Sequence, residues 1–257
     1  MIYDNILSEY KEGICYITIN RPKQLNALNG VTISELNQAI IAADKDTLVR
    51  CIILTGADTK AFVAGADIKE FAAFDKNAGE KLARKGQELL FDLLENASTP
   101  SIAAINGFAL GGGLELAMAC HFRIASDNAK MGLPEVSLGV IPGYGGTQRL
   151  AGLVGKGKAM EMITTAGMLS APEAKEWGLV NHVCSQEELM PLAEKLASKI
   201  KSNSPMAIAK AINSVNAGFT DGLNGFDVEI SEFGSCFDTP EFVEGTTAFM
   251  EKRKAIF

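Results

Sequence analysis

The chain has 257 residues, 47% of them hydrophobic, with 31 acidic against 24 basic side chains and a net charge of −7. That is enough apolar sequence to bury a large core in one or two domains. The acidic balance argues against a general attraction to nucleic acid or acidic membranes, and leaves room only for a local basic patch on a phosphorylated ligand.

Residues 13–19 are short and β-branched and read as a strand, ended by Arg21-Pro22. Residues 31–44 carry Ile33, Leu36, Ile40 and Ala43 at helical spacing. Residues 51–56 form a continuous apolar run closed by glycine, as a buried strand does. Residues 68–95 read as helical in one or two pieces, 101–105 as the next buried strand, 113–120 as a helix and 122–125 as a strand. This alternation makes the first two-thirds α/β. The strands at 51–55 and 101–105 each run into a glycine-bearing loop and then a helix, a loose structural repeat. Near residue 170 the character changes. Ser170 reads as a helix cap with Pro172 in the first turn, followed by amphipathic helices over 187–201 and 205–217 and two short ones after 222 and over 240–254.

Cys15, Cys51 and Cys120 lie in apolar runs and read as small buried hydrophobes. With five scattered cysteines, no CxxC and two histidines, no metal site is expected and a reducing compartment fits. Residues 1–7 carry no basic leader or long apolar stretch, so a cytoplasmic location is expected. His121 and His182 stand apart near apolar residues and read as structural.

Three loops carry candidate chemistry. In 61–69, Gly65 precedes a helical stretch and Asp67 is placed as its N-cap. In 106–115, a buried strand ends, Gly111, Gly112 and Gly113 free the backbone for close approach, and a helix begins with Glu115 in its first turn. Free N–H groups at a helix start hold an anionic oxygen, and where charge develops in a reaction they make an oxyanion hole. The plainer reading of Glu115 is a favourable charge at the helix N-terminus. In 133–147, Glu135 sits among Leu133, Val136, Leu138, Val140 and Ile141, so it is either exposed on a turn or has a raised pKa and a task. Two carboxylates near one substrate can divide the labour of base and acid. No GxGxxG after a strand, no GxxxxGK[ST] and no GxSxG is present, and Gly155-Lys156-Gly157-Lys158 lacks phosphate-loop spacing.

At these residues the chain closely resembles the enoyl-CoA hydratase (crotonase) family over essentially its full length. The matching segments are 19–28, Ala64-Gly65-Ala66-Asp67-Ile68, 107–115, Pro134-Glu135, 141–150 and 249–254. The resemblance implies a crotonase-like spiral of β-β-α repeats over residues 1–195. A helical trimerisation region over 196–257 would follow, assembled as a homotrimer or a dimer of trimers. It implies that Ala66 and Gly112 N–H groups grip the thioester oxygen of an acyl-CoA, while Glu115 and Glu135 hold one water for syn addition and Gly143 N–H helps place it. Lys23, Leu25 and Ala27 would line the CoA channel, and Ala64, Asp67, Ile68 and Lys69 would lie near the adenine. Phe249 and Lys252 would meet CoA from a neighbouring subunit. Coenzyme A enters as part of the substrate, and no separate cofactor is implied.

One scaffold hosts many reactions. Isomerases of this family generally keep an acid matching Glu135 and lack one matching Glu115, so both acids together favour a hydratase. Leu114 stands where many hydratases carry cysteine. Some relatives bind RNA through a lysine-rich helix; here Lys81, Arg84 and Lys85 are mixed with Glu80, Glu88, Asp92 and Glu95 and read as a solvated face.

Overall fold

The structure is a computed structural model and describes residues 2–257. Two stacked sheets form its frame. The first contains β1 (Ile6–Lys11), β2 (Ile14–Ile19), β3 (Cys51–Gly56), β5 (Ser101–Ile105), β7 (Phe122–Ser126) and β10 (His182–Cys184), in that spatial order. All its pairings are parallel except β1 with β2. The second contains β4 (Ala61–Val63), β6 (Phe108–Leu110), β8 (Lys130–Gly132) and β9 (Met168–Ser170), with only β9 antiparallel. Three successive units, β3–β4, β5–β6 and β7–β8, each give one strand to each sheet before the next helix, whereas β1 and β2 both join the first sheet; the repeating part is the spiral that the resemblance implies.

The strands of the first sheet read as unbroken apolar runs because both faces are buried. Ile52, Leu54, Ala103 and Ile105 face one core. Cys51, Ile53, Ile102, Ala104 and Ile124 face the other, closed by Leu189, Ala193 and Ala197 of α7 (Leu189–Lys201). The division at residues 195/196 falls inside this helix.

The helices start where caps are available. Asn29 accepts from Thr32 N at 2.8 Å to begin α1 (Gly30–Lys45). Asp75 accepts from Ala78 N at 2.8 Å to begin α2 (Lys76–Gly86), which continues through a π turn, Gln87–Phe91, into α3 (Asp92–Glu95). The helical reading of 68–95 thus holds for a short turn, Ile68–Glu70, and again from Lys76. Asp67 is not a side-chain cap: its carboxylate lies 3.2 Å from Arg21 Nη2, a charge-assisted pair that outcompetes a backbone N–H. In α6 (Ala171–Glu176), Glu173 accepts from Ser170 N at 2.8 Å, as the predicted start requires. His182 is exposed on the edge strand β10. His121 is structural: its Nδ1 meets Ser101 N at 3.0 Å and Oγ at 2.8 Å, and burial lowers its pKa to about 4.

Behind the active loops lie α4 (Gly112–Ala119) and α5 (Gly146–Thr164). Helix α4 packs its backbone directly on β4: a Cβ on Gly113 would stand 2.0 Å from the Val63 carbonyl oxygen. Gly113→Ala should therefore lower stability by about 1–3 kcal/mol or more, read from urea denaturation; an unchanged midpoint would show that helix and strand can separate freely. Beyond α7 come α8 (Pro205–Ala217), α9 (Gly225–Gly234) and α10 (Pro240–Met250). No helix among the described residues is long and apolar enough to cross a membrane.

Candidate active site

The site forms where three loops meet. The first pair is stitched together by backbone hydrogen bonds. Leu28 N donates to Gly65 O at 2.9 Å, Ala64 N to Leu25 O at 3.1 Å and Asp67 N to Leu28 O at 2.7 Å. Asn26 makes this possible. It is 1% exposed, receives Arg21 N on Oδ1 at 3.0 Å, and donates to Ala61 O at 2.8 Å. Arg21 bridges the same two segments through Asp67 and the Ala27 carbonyl. Lys23, Leu25 and Ala27 thereby stand beside Ala64, Asp67, Ile68 and Lys69, with Lys23 and Lys69 exposed at the rim. In this bonding pattern the Ala66 N–H is passed over: it has no acceptor among the described residues.

The triple glycine supplies the opposite wall. Gly111 has φ +51°, and a Cβ there would lie 2.8 Å from Glu135 Oε1, so only glycine serves both the turn and the acid. Gly112 is the first residue of α4, where an N–H has no intrahelical partner. A Cβ on Gly112 would stand 3.6 Å from Ala66 N, which puts the two free amides on one small space.

Glu115 lies one helical turn further on and is 1% exposed. Its Oε1 accepts from Tyr144 N at 2.7 Å and Gly146 N at 2.8 Å, and no group among the described residues donates to its Oε2. A side chain at Gly146 would strike it, with a Cβ 2.8 Å from Oε1. Burial pushes its carboxyl from the ordinary 4.5 up to about 7, opposed by the Gly146 amide, reinforced by Glu135 and again opposed by the Tyr144 amide and Arg149. Glu135 begins the short turn Glu135–Leu138; burial raises its pKa also, and its Oε2 is buried without a protein partner. Gly143 N–H has no acceptor among the described residues. Leu114 is fully buried in the core behind the acids.

The raised pKa has a consequence for stability. An acid whose pKa is higher when folded binds protons more tightly in the folded state, so the stability Glu115 contributes is fully present below about pH 4.5 and is lost as pH rises through about 7. The urea midpoint of wild type should fall more steeply over that window than that of Glu115→Gln. Parallel curves would mean that Glu115 titrates normally.

The fold brings Glu115, Glu135, Ala66, Gly112 and Gly143 together with both loop segments. It does not place Phe249 and Lys252 there within one chain. Phe249 is 85% exposed at the end of α10, and the following residues return to Arg50, whose Nη1 donates to Phe257 O at 3.2 Å. Arg50 sits where β3 begins, whereas the 21–28 segment follows the end of the neighbouring parallel strand β2. Tyr144, Gly146, Asn26 and Arg21 were not read as site residues. Their contribution is backbone aim and buried anchoring, for which a lone Tyr or Asn gives no pattern.

A family model described as Enoyl-CoA hydratase/isomerase matches residues 9–257, and the chain belongs to this family. It is 48% identical to the crotonyl-CoA hydratase of Syntrophomonas wolfei, over 100% of this chain and 99% of that protein. It is 46% identical to the short-chain-enoyl-CoA hydratase of Clostridium acetobutylicum, over 99% and 97% of the two chains. Its fold matches the crystal structure of an enoyl-CoA hydratase from Bacillus anthracis with TM-score 0.91 and 39% identity, over 99% of each chain.

Proposed function

We propose that this protein is an enoyl-CoA hydratase that adds water reversibly across the 2,3 double bond of a trans-2-enoyl-CoA to give the 3-hydroxyacyl-CoA. The observation that carries this reading is the pair Glu115 and Glu135, both raised in pKa by burial, Glu135 Oε1 lying against Gly111 and Glu115 standing one turn along α4 from Gly112, whose N–H shares a small space with that of Ala66. The amides bind the thioester oxygen, where enolate charge builds as the double bond is attacked. Glu115 and Glu135 hold one water through their unengaged oxygens, with the Gly143 N–H as a further donor. One carboxylate takes a proton as the hydroxyl bonds to C3, and a proton returns to C2 from the same face. An acid near neutral pKa suits both directions.

Lys23, Leu25, Ala27, Ala64, Asp67, Ile68 and Lys69 form the CoA-binding rim, with Phe249 and Lys252 contributed by a neighbouring subunit. A homotrimer or dimer of trimers accounts for the C-terminal helices, which leave Phe219, Phe226, Ile230 and Phe233 from 66% to 81% exposed. The isomerase reading, which needs only the Glu135 acid, leaves the amides on Glu115 without a task. Lys81, Arg84 and Lys85 are exposed beside exposed Glu80 and Glu88, and nothing in that mixture favours RNA. Incubation with crotonyl-CoA should give a product heavier by one water. Conversion of a 3-enoyl-CoA to its 2-isomer, with no water added to crotonyl-CoA, would instead make the protein an isomerase.

A further inference from the structure

The helical stretch formed by α2 and α3 is interrupted by the π turn Gln87–Phe91 between them. Such turns break helical regularity and recur at functional sites. This one serves the loop that holds Glu115. Phe91 stacks on the Tyr144 ring, with centroids 4.7 Å apart and planes at 15°. Gly86 makes room for that ring, since a Cβ there would lie 2.2 Å from Tyr144 Cε1. Gln87 Nε2 donates to the Gly143 carbonyl oxygen at 2.7 Å.

That carbonyl and the Tyr144 N–H belong to one peptide unit, and the N–H donates to Glu115 Oε1 at 2.7 Å. Peptide planarity ties the direction of one to the direction of the other. A carbonyl that accepts a hydrogen bond also polarises the unit, which makes its N–H a stronger donor. The loop itself has another anchor. Arg149 Nη1 donates to Tyr144 O at 2.9 Å, and its Nη2 is fixed by Asp92 at 2.9 Å and Glu95 at 2.6 Å. Gln87 is therefore not needed merely to keep the loop in place.

We propose that Gln87 is a positioning residue for the reaction: through the Gly143–Tyr144 peptide it sets the aim and strength of the hydrogen bond on Glu115. It touches no reacting atom. The proposal rests on the reading of Glu115 as an acid–base group in hydration.

Two variants test it, Gln87→Met, which keeps the length and loses the donor, and Gln87→Glu, which is isosteric and donates only when protonated. The charged groups facing Glu115, namely Glu135 and Arg149, are unchanged in both; Gln87→Met adds no charge, whereas Gln87→Glu brings one new carboxylate to the Gly143–Tyr144 peptide. Gln87→Met should lower kcat for crotonyl-CoA by about tenfold, the size of one hydrogen bond, with KM within about twofold. Its acid limb of kcat should move to higher pH, because a bond favouring the charged form of Glu115 is weakened. Gln87→Glu should fall further below wild type as pH rises and recover as pH falls. Wild-type kcat and pH profile in Gln87→Met, whatever its melting temperature, would overturn the proposal. So would a rise in KM alone. If Gln87→Met does not fold, Gln87→Glu decides: a ratio to wild type that is independent of pH overturns it. Failure of wild type to hydrate crotonyl-CoA would sink the hydratase reading instead. The relay would then be read from the Glu115 titration by carbon NMR, assigned with Glu115→Gln: a higher midpoint in Gln87→Met supports it and an unmoved one refutes it.

Discussion

Glu115→Gln is expected to fold normally and to lower kcat for crotonyl-CoA by about 10²–10⁴-fold, the range of a lost general acid–base group, with little change in KM. The substitution is nearly isosteric, and an amide oxygen can still accept from Tyr144 N and Gly146 N, which now hold Oε1 at 2.7 and 2.8 Å. Folding loses little. An amide can neither take a proton from water nor return one to carbon, so the chemical step loses its partner. Steady-state kinetics with a parallel CoA-binding measurement separate the two effects. Turnover close to wild type would remove Glu115 from the chemistry.

Gly112→Pro should lower kcat by at least about 10²–10³-fold, the cost of one oxyanion donor, because the ring Cδ also takes the place of the amide hydrogen in the space shared with Ala66 N. Proline is tolerated at the first position of a helix, which Gly112 occupies in α4. The space also admits a Cβ: its nearest neighbour would be Ala66 N at 3.6 Å. The change thus removes the N–H and keeps the helix start. Circular dichroism and thermal melting establish the fold, and near-normal turnover in a folded variant would mean that the thioester oxygen is held elsewhere.

The central strands were legible because both their faces are buried, which writes them as apolar runs at 51–56 and 101–105. The second sheet was not. Its strands β4, β6, β8 and β9 have three residues each, too few for any period to show. Strand β1 was missed because only Ile6 of its six residues is buried. Helix α5 was missed because Gly152, Gly155 and Gly157 erase helical propensity, and Gly155 does break the helix at φ +78°. The two acids and the triple glycine stood out because their residue types are costly unless used. Yet the spiral came from the resemblance alone, since spacing cannot say that successive strands alternate between two sheets. Asp67 shows the converse error: a good cap by sequence, it is claimed by Arg21 from 46 residues away. Gln87 has no signature at all, because its role exists only through a peptide plane on another loop.

In the proposed reaction Glu115 and Glu135 act on one water at one face of the double bond. Hydration of crotonyl-CoA in deuterium oxide, followed by proton NMR of the 3-hydroxybutyryl product, tests it most directly. A single deuteron at C2, syn to the new hydroxyl at C3, is expected. Deuterium scrambled between the two C2 positions, anti addition, or no hydration at all would contradict it.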